Sequence, residues 1–459
     1  MQNNKKNTSL VLSRREPSWH WRVLRLAWPI VLANLTVPIL SAVDTAIAGH
    51  LDQPAALGAV ALGGLVFNFV FWGFGFLRMG TTALTAQAHG AGDGLGLRAS
   101  LLRGLAIALV IGVVLLVLRE PLIAGALQLL GGSEAVQQLA REYAFARLWS
   151  APLALGNFVL LGYLLGVQQV RIGLALQVLI NVVNIALVLV FVHGLQMGVP
   201  GIGLATAIAD VVGFAAGAAW LRMRRLRSLP PVDWRRDIVD RRALRRLMAM
   251  NGDLFVRTMC LLAAFAWFTR AGARQGDAVL AANAVLLNFQ TFMSYALDGF
   301  AHAAETLVGA AVGARHRDAL RWAIRTTMGW SVVGALGFCL VYAFAGPTIV
   351  RLLTNQPHVV ALALAYLPWA VILPLASAVG FQLDGVFIGA MRTRELMMAM
   401  AVCLAGFIVL ALGLQGLFGN HGLWAAFTAF MAARGVALWM LLPHVDETIE
   451  GEAVPRGTI

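Results

Sequence analysis

Charge is scarce in this chain. Of its 459 residues only 12% are charged, while 59% are hydrophobic. A soluble domain holds about a quarter charged residues, so this balance excludes an ordinary water-soluble globule and points to lipid as the solvent. Cysteine is scarcer still. Cys260, Cys339 and Cys403 all fall inside apolar runs, without metal-ligand spacing, and read as small packing residues. The motifs of soluble catalysis are missing: no GxSxG elbow and no HExxH helix occur. The glycine-rich "GAGDGLG" at 90–96 has no Lys-Ser/Thr and opens no βα unit, which argues against a phosphate loop. No enzyme, metal or cofactor is therefore expected. No cleavable signal is expected either, because the first twenty residues are polar and basic and the first apolar run is too long for an h-region.

What the chain does have is apolar runs of about 20 residues, the length that crosses roughly 30 Å of hydrocarbon. Twelve are readable, at 24–49, 56–88, 100–118, 144–168, 172–193, 200–221, 246–271, 279–313, 322–346, 359–391, 396–418 and 421–443. The expected fold class is an all-α integral membrane protein. The net charge of +13 fits this topology. With the amino terminus inside, 25 of the 35 basic residues fall in cytoplasmic segments, ten of them in Arg222–Arg246, and six fall outside. Arg78, Arg257 and Arg434 lie within spans, and Arg456 in the tail. That asymmetry is the positive-inside rule, and an even span count returns the carboxyl terminus to the cytoplasm. Basic residues spread over loops, with no compact soluble domain to carry them, exclude nucleic-acid binding. The partner surface is the bilayer, with the plasma membrane of a bacterium (the inner membrane) as the expected location.

The one long polar connection, which contains Pro230-Pro231, splits the spans six and six. A constant separation of 223 residues brings the halves into register: "GYLLGVQQVR" at 162–171 falls on "GVFIGAMRTR" at 385–394, Gly90-Ala91 on Gly313-Ala314, and Tyr143 on Tyr366. The expected organisation is a tail (1–23), an amino-terminal lobe (24–221), a basic linker (222–245), a carboxyl-terminal lobe (246–443) and a second tail (444–459). Parallel repeats of this kind place a cargo cavity at the midplane and work by rocking. Glycines at i and i+4 in both repeats let helices approach closely.

Polar residues inside such spans cost about 2.5–3.5 kcal/mol each when ionised, so they face protein or water. Asn34, Ser41, Asp44 and Thr45 form one stripe along span 1. Asp44, in "SAVDTAIAGHLD", lies toward the outer end of its span, where a capping role is the plain alternative to a functional one. In span 5, Gln177, Asn181 and Asn184 share a face, and helix–helix hydrogen bonding competes with a binding role for the asparagines. Span 6 adds Thr206 and Asp210 one turn apart. A bare mid-span carboxyl needs a partner, water or a proton, which is the chemistry of a proton-coupled carrier. In span 8, Thr291, Tyr295, Asp298, His302 and Glu305 line one side, and span 10 adds Asp384. The His302–Glu305 pair is too small a ligand set for a metal. These residues are expected to line an aqueous cavity and attract cationic substrate.

"LAWPIVLANLTVPILSAVDTAIAGHL", "TAQAHGAGD", "LLGVQQVRIGLALQVLINVVNI", "YALDGFAHAAETLVGAAVGA" and "LDGVFIGAMRTRE" together resemble the multidrug and toxic compound extrusion (MATE) family, most closely its DinF branch. The resemblance covers roughly residues 20–440. It implies a MATE/MOP-type fold of two six-helix pseudo-symmetric lobes. It also implies a multidrug antiporter that exports organic cations or amphipathic compounds by alternating access, in exchange for H⁺ or Na⁺. Coupling in the branch is assigned to an acid on helix 1, polar residues on helix 5 and a Thr on helix 6, which Asp44, Asn184 and Thr206 match. Pro29 matches the proline at which helix 1 is thought to bend. Val188 departs from the pattern, standing where relatives carry a second acid. Its loss removes an oxygen ligand and favours protons over Na⁺, with Asp210 able to take over its role or Asp44 working alone. A monomer is expected. The alternative is a flippase for lipid-linked oligosaccharide or peptidoglycan precursors of the same superfamily, which would line its cavity with basic residues, whereas acids stand here.

Overall fold

The computed structural model describes residues 18–49, 54–131, 133–224 and 226–451; the side chains of Ser41 and Thr45 lie outside the described residues. Among the described residues every regular element is helical. In chain order these are α1 (Trp19–Gly49), α2 (Pro54–Gly73), α3 (Phe76–Gly90), α4 (Gly94–Val117), α5 (Arg119–Leu130), α6 (Glu134–Leu148), α7 (Ala151–Gly166), α8 (Val170–Leu189) and α9 (Gly198–Arg224). The second half follows with α10 (Arg241–Ala273), α11 (Asp277–Gly313), α12 (Arg317–Leu353), α13 (Pro357–Gly389), α14 (Thr393–Leu441) and α15 (Pro443–Gly451).

Eight of the described helices are long and apolar enough to cross a bilayer, nine if the pair α6–α7, bent by 56°, counts as one. Among them α14 runs 49 residues with non-helical backbone at Gly419, which is the length of two crossings. The 31-residue α1 and the 37-residue α11, which carry the polar stripes, are long enough to cross but are not among these eight, while twelve spans were expected. Val117, Phe344 and Val402 are more than 70% exposed; such surfaces suit lipid, and every backbone group in a helix is satisfied internally.

The chain forms two compact units. One holds residues 32–89 and 93–251; the other holds α1 through Val31, residues 90–92 and the chain from Gly252 onward. Helix α1 thus passes from one unit to the other two residues after Pro29. The second unit is built around an aromatic core that includes Phe268, Phe407, Trp424 and Phe427.

The duplication is visible in the backbone. Left-handed φ values occur at Gly92 and Arg315, at Gln168 and Met391, and at Gln196 and Gly419, each pair separated by the same 223 residues. The turns they make are closed alike. Asp93 N–H donates to the Ala88 carbonyl at 2.9 Å and His316 N–H to that of Ala311 at 3.0 Å. The following helix is capped each time, by Asp93 accepting from Gly96 N–H and His316 Nδ1 from Ala319 N–H, which satisfies a backbone donor left orphaned at the helix start. The repeated GxxxG pairs do the same work in both halves. A β-carbon at Gly162 would lie 2.5 Å from the Arg78 carbonyl oxygen, and one at Gly166 would lie 2.6 Å from Thr85 Cβ. One at Gly385 or Gly389 would strike the carbonyl of Ala301 or Glu305. Without a hydrophobic drive in lipid, this close backbone approach supplies the packing that holds α3 to α7 and α11 to α13.

Candidate functional site

In the first unit, polar groups gather where α6 bends into α7. The Ser150 hydroxyl at that bend donates to Asp210 Oδ2 at 3.2 Å, and Asn157 Nδ2 to the Asp210 carbonyl at 2.9 Å. One turn away on α9, the Thr206 hydroxyl accepts from Asn184 Nδ2 at 2.8 Å and donates to the Ile202 carbonyl at 3.2 Å. Asn184 and Thr206 are therefore brought together across α8 and α9, and Asp210 is engaged by α7. Asn181 accepts from Gln177 Nε2 on its own helix at 3.3 Å. Val188 is fully buried. Asn34 is half-buried on α1.

Asp44 is 8% exposed, and its Oδ1 has no hydrogen-bond partner among the described residues. The charged group whose field reaches it is Arg147 on α6, which also acts on Asp210 and Tyr143. Arg147 donates from Nη1 to the Tyr143 hydroxyl at 2.8 Å, and its guanidinium carbon lies 3.6 Å from the Phe67 ring centroid. Sequence reading placed Arg147 among the outer loop residues and overlooked Ser150 and Asn157. The available signal was Asp44, Asp210 and Arg147 within the spans of a single half, with Tyr143 and Arg147 at i, i+4.

At the same 223-residue separation, Asp44, Asn184 and Thr206 correspond to Trp267, Phe407 and Ala429. Phe407 packs into the aromatic core of its unit, its ring centroid 5.4 Å from that of Phe430. No ionisable group stands at these equivalent places.

The second unit carries its polar residues elsewhere. Along α11, Tyr295, Asp298 and His302 are half-buried and Glu305 is enclosed, with 3.3 Å between His302 Nδ1 and Glu305 Oε2. Asp384 is set apart from this stripe. Its Oδ2 accepts from Arg257 Nη2 and, at 2.7 Å, from Arg434 Nη2. All three residues are buried, so the carboxylate grouped with a cavity lining by sequence is enclosed between two guanidiniums. Arg257, Arg434 and Asp384, all inside the spans of one half, were the sequence signal for this triad.

A bundle of membrane crossings with carboxylates enclosed among its helices defines a polytopic membrane protein. The MatE family model matches residues 29–190 and 255–412, once in each half. The chain is 44% identical to the DNA damage-inducible protein F of Escherichia coli (strain K12), over 92% of its own length and 90% of that protein's. It is 31% identical to a probable multidrug resistance protein NorM of Bradyrhizobium diazoefficiens, over 69% of each. Its fold matches a MATE crystal structure in the bent conformation with a TM-score of 0.86 at 20% identity, covering 94% of this chain and 96% of that one. The chain belongs to the MatE family of multi-pass membrane transporters.

Proposed function

We propose that this protein is a secondary multidrug antiporter that exports organic cations or amphipathic compounds in exchange for protons by alternating access. The observation that carries the reading is Asp44: enclosed, on the first helix, with a carboxylate oxygen that no donor holds among the described residues. A buried carboxyl with no donor to stabilise its charged form can be kept neutral by a proton and releases it when its surroundings change, which is the property a proton carrier needs. Asn184 and Thr206 form a polar pair across α8 and α9, and Asp210 is a second acid within a span of the same unit. The names of the relatives, multidrug resistance proteins among them, support the cargo class.

In this reading the halves 24–221 and 246–443, joined by the basic linker 222–245, rock about a cargo cavity. On that reading Asn34, Gln177 and Asn181 of one half and Tyr295, Asp298, His302 and Glu305 of the other are the residues assigned to the cargo, and α1 bends at Pro29. The protein works as a monomer in the bacterial inner membrane with both termini cytoplasmic.

The test is exchange in proteoliposomes with a fluorescent cationic dye. Asp44→Asn should remove dye-driven proton movement at least tenfold while the purified protein keeps its elution profile. Wild-type exchange by that variant would take Asp44 out of the mechanism. A response to a sodium gradient at fixed pH would replace the proton by Na⁺.

A further inference from the structure

Among the described residues the guanidinium of Arg147 is the one cation whose field both Asp44 and Asp210 feel, yet no ion pair joins it to either. It is held instead by neutral groups: the Tyr143 hydroxyl at 2.8 Å, the face of Phe67 at 3.6 Å, and the Tyr143 ring at 5.8 Å. Its Nε is buried and has no acceptor among the described residues. An aromatic cradle of this kind fixes a positive charge in place without neutralising it.

We propose that Arg147 is a specificity-determining residue for the coupling ion: a resident cation that excludes Na⁺ from the first-unit site and leaves the proton as the only charge the site can exchange. This rests on the reading of Asp44 as the coupling acid. Among the described residues the titratable groups within reach of the guanidinium's field are Asp44 from α1, Asp210 from α9 and Tyr143 from its own helix, to which it is hydrogen-bonded. With both acids ionised these groups sum to one negative charge, and a single proton brings them to zero. A sodium ion would need the same electrostatic room as that proton, and several oxygen ligands besides. A proton meets the same repulsion from the arginine but is held by a covalent bond to one carboxylate oxygen, so it tolerates a loss of affinity that a coordinated sodium ion does not. Two like unit charges on the order of 6–8 Å apart at an effective dielectric of about 20 disfavour each other by roughly 30- to 100-fold in affinity. The arginine thus supplies from within the chain the charge that a bound metal ion would bring.

The experiment measures thermal stability of the detergent-purified, full-length protein in NaCl against choline chloride at equal ionic strength. A ligand that binds only the folded state raises Tm with its concentration. Wild type should show no Na⁺-specific rise, and Arg147→Lys, which keeps the charge, should show none. Arg147→Gln should gain a Na⁺-specific rise of a few degrees, and adding Asp44→Asn to it should abolish that rise. If Arg147→Gln fails to purify, Arg147→Met replaces it. A Na⁺-specific rise in wild type or in Arg147→Lys overturns the proposal, and so does a folded Arg147→Gln or Arg147→Met that stays indifferent to Na⁺. The dye-exchange assay of Asp44→Asn reports on the coupling acid separately. Its failure leaves the sodium measurement on Arg147 readable by itself.

Discussion

Neutralising Asp384 gives a sharp test of how the second unit is held. Its carboxylate is shared by Arg257 and Arg434, and the three side chains are 5%, 7% and 2% exposed. As ionised groups they sum to one positive charge. Asp384→Asn leaves two buried guanidiniums facing each other with no anion between them. Removing one member of a buried ion pair costs about 3–5 kcal/mol, because the partner's desolvation is no longer offset. Arg434→Met is milder by the same reasoning: Asp384 and Arg257 remain as a neutral pair, and the loss is one charge-assisted hydrogen bond plus weak contacts with the Phe381 and Phe430 rings, 5.6 and 5.9 Å away. That loss is about 1.5–3 kcal/mol. At about 2–4 °C per kcal/mol for a unit of this size, the Asn variant should melt roughly 6–20 °C below wild type and the Met variant about 3–12 °C below. Tryptophan fluorescence of purified protein during a thermal ramp reads both. An acid that merely lines a water-filled cavity would tolerate Asn with little change in Tm. A wild-type Tm for Asp384→Asn, or a lower Tm for Arg434→Met than for Asp384→Asn, would refute the enclosed triad.

Gly385→Ala should cost more than 2 kcal/mol, since the new methyl group would drive into the Ala301 carbonyl. Gly406→Ala, where nothing lies within 4 Å of the added atom, should be neutral or stabilising by up to about 1 kcal/mol; paired thermal melts check both. Gln196→Gly should stabilise by about 1 kcal/mol, because Gln196 is exposed and sits at φ 56°, where its counterpart is already Gly419. A lower Tm for that variant would show that the glutamine side chain contributes more than its backbone strain removes.

The helices and the close-packing glycines were legible because each is written locally, as length, periodicity or fixed separation. The GxxxG pairs at 162–166 and 385–389 show this well: the spacing alone implied close helix contact, and both pairs touch backbone. Pairing across helices was not legible. Asp384 lies 127 residues from Arg257 and 50 from Arg434, and no periodicity relates three helices to one another. The field of Arg147 was hidden for another reason. The rule that counts basic residues by side of the membrane treats an arginine near a span end as loop, while here the bend at Ser150 turns that end toward Asp210.

The left-handed corners at 92, 168 and 196 recur at 315, 391 and 419, yet the residues that make them are Gly and Arg, Gln and Met, Gln and Gly. After one ancestral segment was copied, substitution ran freely through the side chains while the path of the main chain stayed put. Along that shared path the places of Asp44, Asn184 and Thr206 are taken in the other half by Trp267, Phe407 and Ala429, so the same corners frame a carboxyl and two polar groups once and rings and a methyl group the second time.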